Sequence, residues 1–272
     1  MKKYLILIIM PALLAGFIFC CGFEHTVAED EKFEVRLLSS YTTYFDSKNE
    51  ARSHNIRLAA ALIDGAVVEN GEVFSFNAVV GQRTAERGFE RANIIENGEF
   101  VEGIGGGVCQ VSTTLYNAAL LAGCRVVEYH PHSLPVSYVP PSRDAMVSGT
   151  FFDLKFENAT GSTIYLTAQT GENYVRFRVY GRDFGIEYDL SSEVTGSIEA
   201  PEEFTTDLSL IREGKDGIIS EGYLTVTKDG VTRRIFLRRD KYSPQKKITL
   251  KTEEETPPEI LEIQENNLPQ DL

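Results

Sequence analysis

Between residues 103 and 133 the chain reads GIGGGVCQVSTTLYNAALLAGCRVVEYHPHS. Three consecutive glycines, Gly105 to Gly107, stand directly before a run with apolar residues at helical spacing, and RVVEYHPH after it reads as a strand. A helix from about Cys109 to Ala122 climbs at about 1.5 Å per residue, roughly 20 Å to Cys124. The strand from Arg125 to His132 returns at about 3.3 Å per residue, so six to eight residues cover roughly 20–25 Å. The spacing therefore predicts that His130 and His132 lie level with Cys109. Being two apart, both should sit on one face of the strand.

This juxtaposition points to thiol chemistry. Cys109 falls in the first helical turn, where the N–H groups lack intrahelical partners and the helix dipole is positive. A thiolate is favoured there and its pKa should fall. The same free N–H groups can hold an oxyanion. Glycine allows close backbone approach and positive φ, which makes Gly105, Gly106 and Gly107 candidate substrate contacts. A Cys at a helix N-terminus with a His on the neighbouring strand is the arrangement that activates a nucleophile. The competing readings are a Cys that simply packs and a metal site built from the Cys and the two His. Zinc needs three or four ligands and no fourth is evident, so the expectation is no metal and no cofactor.

The surrounding residues refine the site. Asp144, after the Pro140-Pro141 corner, is a candidate third member that orients a histidine. Arg143 has the fork that suits a substrate carboxylate; a surface salt bridge is the plainer reading of the same pair. Ser112, Thr113 and Tyr116 share the Cys109 face of the helix, to line a pocket, to cap or to pack. Leu115, Ala118, Ala119 and Ala122 form the core stripe. A Cys109–Cys124 disulfide needs Cα atoms within about 7 Å, and the intervening helix holds them roughly 20 Å apart. Cys124 is therefore expected to be a small buried hydrophobe. His54 reads as a surface residue beside a helix start, and His25 as part of a spacer.

The remainder sets the frame. Lys2 and Lys3 precede an apolar run from Tyr4 to Phe23, long enough to span a bilayer core with the rest of the chain outside. An uncleaved anchor over 1–23 and a signal peptide cut near Thr26–Ala28 compete; either puts the body outside the membrane. Residues 24–34 are a polar spacer. Helical spacing predicts a helix over 55–68. Strands are expected over 33–38, 73–77, in a hairpin over 92–101 turning at Asn97-Gly98, and over 151–180. Residues 39–53 read as a polar loop. A boundary is expected near 185–201, then a small all-β unit over 201–251 with a hairpin at Asp229-Gly230. The tail over 252–272 has the composition of a disordered segment. With 40 Asp+Glu against 27 Lys+Arg, the chain lacks the basic footprint of a nucleic-acid binder. The fold class expected is α+β, with two helices packed on mostly antiparallel strands.

FSFNAVVGQRTAERGF (74–89), GIGGGVCQVSTTLYNAALLAG (103–123), EYHPHSLPVSYVPPSRDAMV (128–147) and DLKFENATGSTIYL (153–166) together resemble the VanW domain, named from an accessory protein of B-type vancomycin-resistance clusters. The likeness covers roughly residues 35–185. Residues 201–251 faintly resemble a short remnant of a glycine-rich β-module of cell-wall proteins. The resemblance implies an L,D-transpeptidase of peptidoglycan with Cys109 as nucleophile and His132 or His130 as base. Cys109 would attack a stem tetrapeptide, D-Ala would leave, and an amine of a neighbouring stem would resolve the thioester. Water in place of the amine would make a carboxypeptidase. Two other readings stay open: a noncatalytic module that binds peptidoglycan or glycopeptide, and a metal-dependent peptidase.

Overall fold

The computed structural model describes residues 34–251 apart from positions 97 and 150. The apolar run over 1–23, nearly all of the spacer, Asn97 of the expected turn and the acidic tail lie outside the described residues. Among the described residues no helix is long and apolar enough to cross a membrane.

The first strand, β1 (Val35–Tyr44), runs well into the stretch expected as a loop. Its inward positions carry hydroxyls, which hid the alternation. Ser39 Oγ donates to Ala118 O at 2.6 Å, and the Thr43 and Thr114 hydroxyls share a 2.7 Å bond. The helix expected over 55–68 is α1 (Glu50–Ile63). It starts early because Asn49 caps it, accepting the Arg52 N–H at 3.0 Å, the role for which Asn is preferred. It stops at Asp64 and Gly65, whose φ is +82°. Of the apolar series at helical spacing, Ile56, Ala59, Ala60, Ile63 and Val67, the first four are buried, whereas Val67 lies beyond the helix and is exposed. β2 (Val67–Val68) and β3 (Val73–Ser75) follow. Residues 76–77, expected as strand, instead open a short helix, α2 (Phe76–Val80), capped by the Ser75 side chain. β4 (Arg91–Glu96) and β5 (Glu99–Ile104) form the expected hairpin, with Glu96 opposite Glu99.

Next comes α3 (Val108–Leu121), in which Cys109 is the second residue. Every residue from Gln110 to Leu120 is buried, so this is a helix enclosed on all sides. It packs on β1, α1 and β6 (Arg125–Glu128), and on later strands. Gly107, at φ +104°, is its N-cap, and Gly123, at φ +88°, follows its end. β6 is half the length expected. Pro131 lies between the two histidines and has no N–H to give to a ladder. Residues 129–147 therefore cross as an irregular strap. His130 and His132 do not share a strand face.

After the strap come β7 (Lys155–Glu157), β8 (Ile164–Thr170) and β9 (Tyr174–Arg182). A four-stranded antiparallel sheet has the order β1-β9-β8-β2, and a smaller one β3-β7-β6. Val175, Phe177 and Val179 of β9 and Ile164 and Leu166 of β8 face inward at period two and are buried. The architecture is α+β with mostly antiparallel pairing.

Most of the stretch expected to hold a boundary is strand: β10 (Ile186–Ile198) pairs with β12 (Gly217–Lys228) over its whole length. Its weak alternation gives no strand signal, and its partner lies some thirty residues on. β11 (Glu202–Thr205) pairs in parallel with β14 (Lys247–Leu250). β13 (Val231–Tyr242) completes the β10-β12-β13 sheet. Asp229 and Gly230 turn it with φ of +50° and +77°, both positive as a two-residue hairpin favours. Leu190 of β10 and Leu224 of β12 belong to the same buried cluster as α3. One core thus runs through both parts.

Candidate functional site

The strap is tied down along α3. Ser112 Oγ donates to Ala145 O at 2.6 Å and Thr113 Oγ1 accepts the Ala145 N–H at 2.9 Å. Met146 N–H donates to His130 O at 2.7 Å, closing the strap on itself. These bonds bring Asp144, His132 and the Val147 carbonyl to the N-terminal end of α3.

There the side chains line up. His132 Nδ1–H donates to Asp144 Oδ2 at 2.6 Å, and the His132 backbone N–H donates to the same oxygen at 2.7 Å. That leaves Nε2 as the ring nitrogen not taken by Asp144, and thiol and imidazole each shift the other's ionisation. The protonated Cys109 donates to Val147 O at 3.3 Å. Asp144 and His132 are buried, while Cys109 is partly exposed.

The electrostatics favour an ion pair. Burial opposes ionisation of Cys109, but the His132 hydrogen bond and charge, the Val147 backbone and the Arg83 guanidinium outweigh it, and the thiol pKa is lowered. Burial also opposes the imidazolium, yet the bonds to Asp144 and Cys109 raise His132 to about 9. The Asp144 carboxyl, though buried, is held down by His132, Arg238 and Tyr242. Both shifts favour the ion pair, with the shared proton drawn toward His132. The two titrate as a pair.

His130 lies elsewhere. Its Nε2 is 3.0 Å from Glu128 Oε1, and its ring packs on Phe152 with centroids 4.6 Å apart. The Glu128 carboxyl is drawn down to about 2 by its bonds to Lys155 and then His130. Among the described residues no three His, Cys, Asp or Glu side chains converge as metal ligands.

Several residues expected to touch substrate are occupied by the fold. The Ser112 and Thr113 hydroxyls hold the strap and are buried. Arg143 donates to Asn117 Oδ1 and Leu190 O, and lies 5.3 Å from the Tyr41 ring centroid. The glycines serve packing. A Cβ on Gly106 would sit 2.6 Å from Asn93 O and 2.8 Å from Ala92 C, and one on Gly107 3.0 Å from Arg52 O. Gly105 and Gly107 carbonyls take the Val108 and Gln110 N–H groups, so two of the first-turn amides are spent. The Cys109 amide lies between them. Cys109 and Cys124 are free, and burial pushes the Cys124 thiol up to about 12.

Other groups complete the site without a local sequence signal. The charges of Arg52 and Arg83 interact with Cys109, and burial lowers both guanidinium pKa values. Arg83 Nη2 donates to Asn77 Oδ1 at 2.6 Å. Tyr138 is kept a neutral phenol, first by burial and then by the negative Cys109 and Asp144. Behind Asp144 stand Arg238, Asp240 and Tyr242 of β13. Their spacing of two places all three on one face of the strand. A groove of about 440 Å³ lies apart, lined by the start of β1, the end of α3 and residues 182–188.

Residues 51–180 match the family model described as VanW like protein. The chain is 47% identical over 146 residues to the protein YoaR of Bacillus subtilis, covering 54% of this chain and 48% of that one. It is 29% identical over 132 residues to the vancomycin B-type resistance protein VanW of Enterococcus faecalis, covering 46% of this chain and 48% of that one. The chain spans about half the length of the curated relatives it matches. No solved structure matches. Cys109, His132 and Asp144 fall inside the matched region; Arg238 and Tyr242 fall outside it.

Proposed function

Residues 51–180 place this chain in the VanW family, and on that premise we propose that it is an extracytoplasmic cysteine acyltransferase acting on peptidoglycan stem peptides. Membership suggests a cell-wall protein associated with vancomycin resistance. The observation that carries the chemistry is the buried Asp144–His132 pair aimed at Cys109.

The Cys109 thiolate attacks the carbonyl carbon preceding the terminal D-residue of a stem tetrapeptide. The carbonyl π electrons move to oxygen, and the Cys109 amide N–H, in the first turn of α3, would donate to that oxyanion. As the tetrahedral intermediate collapses, the C–N bond breaks and His132 Nε2 gives its proton to the departing D-Ala amine. The product is a thioester on Cys109. The now neutral His132 takes a proton from an incoming stem amine, which attacks the thioester and restores the thiolate. Water in the same place gives the free acid and a carboxypeptidase. Asp144 keeps Nδ1 protonated throughout, so that Nε2 alone exchanges protons with the reaction. The N-terminal apolar segment would hold the domain at the outer face of the membrane, with no cofactor required.

The test uses purified protein, a stem tetrapeptide and a labelled D-amino acid acceptor. Exchange is expected for the wild type, together with a trapped thioester mass on Cys109. Cys109→Ala should abolish both, and exchange retained in that variant refutes the proposal. A noncatalytic wall-binding role is favoured instead if the wild type is inactive and Cys109 is alkylated no faster than in denatured protein. The groove apart from Cys109 is the observation on the side of that second reading.

A further inference from the structure

Asp144 has two oxygens with different neighbours. Oδ2 takes both donors of His132. Oδ1 takes the Tyr242 hydroxyl at 2.6 Å and faces Arg238 Nη2 at 3.4 Å. Arg238 Nη1 also donates to Asp144 O at 2.6 Å, and its Nε to Asp240 Oδ2 at 2.6 Å. The Tyr242 oxygen in turn accepts the Ser142 N–H at 2.7 Å. Asp144, Arg238, Asp240 and Tyr242 are all at most 4% exposed. Burying such charges costs desolvation that an apolar cluster of the same volume would avoid. Stability alone does not call for them, and their donors converge on one carboxylate.

We infer that β13 supplies two positioning residues, Tyr242 and Arg238, that clamp the Asp144 carboxylate from behind and so make the β10-β12-β13 sheet part of the reaction centre. This rests on the reading of Cys109 as an acyl-transfer nucleophile. With Oδ1 occupied, the carboxylate cannot rotate about its own axis, and Oδ2 remains the acceptor for His132. The imidazole plane is then fixed relative to Cys109. The same donors also temper the negative charge that His132 feels. The strap does not act alone in this: Ser142 Oγ bonds Ser220 Oγ of β12 at 2.7 Å, and Ser133 O accepts the Ser243 N–H at 2.7 Å.

The charged and titratable groups around the pair come from several elements. Arg52 comes from α1, Arg83 from the segment after α2, Tyr116 from α3, and Tyr129, Tyr138 and Asp144 from the strap. Arg238, Asp240 and Tyr242 come from β13. Only the β13 groups are changed in the test. Full-length wild type, Tyr242→Phe, Arg238→Lys and Arg238→Met are compared by thermal melting and by the pH dependence of Cys109 alkylation with iodoacetamide. The same proteins are assayed for kcat and KM with a stem tetrapeptide.

Tyr242→Phe removes one oxygen. Asp144, one donor poorer, holds the imidazolium proton more tightly, so the alkylation midpoint should move to lower pH and the basic limb of kcat to higher pH. The loosened carboxylate should lower kcat about tenfold with KM unchanged, the scale of one charge-assisted hydrogen bond. Arg238→Met should move the midpoint the same way, and Arg238→Lys, which keeps the charge, should return it toward the wild type. A folded Tyr242→Phe with wild-type profile and kcat overturns the inference. So does a kcat that falls only in step with melting temperature while the profile stays put. If Tyr242→Phe fails to fold, Arg238→Lys decides on the same readouts. An inactive wild type refutes the proposed reaction but leaves the alkylation profiles to judge the clamp separately.

Discussion

Cys109→Ala should change how stability depends on pH, in a way that tells an ion pair from a neutral one. His132 is raised from 6.5 to about 9. Alone, it stabilises the folded state fully below pH 6.5 and loses that contribution as pH rises through about 9. Cys109 is lowered from 9.0. Its contribution is full above pH 9 and is lost as pH falls through its folded value. Between about 6.5 and 9 the unfolded chain holds one proton, on the thiol. Above the lowered pKa of Cys109 and below about 9, the folded chain also holds one, on the imidazole. Proton counts match, so this pair adds no slope to wild-type stability there. Removing the thiol leaves His132 still raised by Asp144, and the folded variant then binds one proton more than its unfolded form. Its stability should fall, relative to wild type, by about 1.4 kcal/mol per pH unit above 6.5 until the variant's own His132 pKa is reached. Urea unfolding of both proteins at pH 6, 7, 8 and 8.5 measures this, and the difference between them cancels every other titrating group. A difference that stays constant across that range would mean that His132 is neutral in the folded variant, and the reasoning that Asp144 by itself holds a charged imidazole would fail.

Asp144→Asn should lower the turnover of stem peptide by about 10²–10⁴-fold, the usual range for loss of an acid–base function, and should raise the pH at which Cys109 is alkylated. Its buried carboxylate keeps both the imidazolium and Arg238 partnered, so a melting temperature lower by several degrees is expected as well. Gly106→Ala should destabilise by about 1–3 kcal/mol in chemical denaturation, because its Cβ would meet the rigid backbone of β4; an unchanged midpoint would show that the hairpin yields. His130→Ala should leave stem-peptide turnover near wild type, since that ring is engaged by Glu128 and Phe152; loss comparable to His132→Ala would contradict the assignment.

Helical and strand periodicity carried much of the first half of the fold. The stripe Ile56, Ala59, Ala60, Ile63 and the alternation Val175, Phe177, Val179 point inward as their spacing dictates. The arithmetic of a rising helix and a returning chain brought Cys109 to the level of His132 but not of His130. It went wrong about the strand, because a single proline at 131 unpairs the chain and frees His132 to turn its own way. Long-range polar pairing was illegible. The inward hydroxyls of Ser39 and Thr43 and the inward charge of Arg238 make sense only beside partners 71 to 94 residues away. Residues such as Ser112, Thr113 and Arg143 were visible as polar groups near the nucleophile. Which of them face substrate and which hold the strap depends on where residues 142–147 run, and no local pattern encodes that path.

The dependence of Asp144 on Tyr242 has a temporal side. The two are separated by 98 residues, and chains are made from the N-terminus. The helix carrying Cys109, the strap and the four-stranded sheet are all synthesised before β13 exists. Until that strand arrives, the carboxylate behind His132 is unclamped and part of the core is open to water. The geometry that fixes Asp144 behind His132 is therefore complete only once β13 has docked. Long-range closures of this kind are slow to form. Here the slow closure joins the last long hairpin to the carboxylate that orients His132.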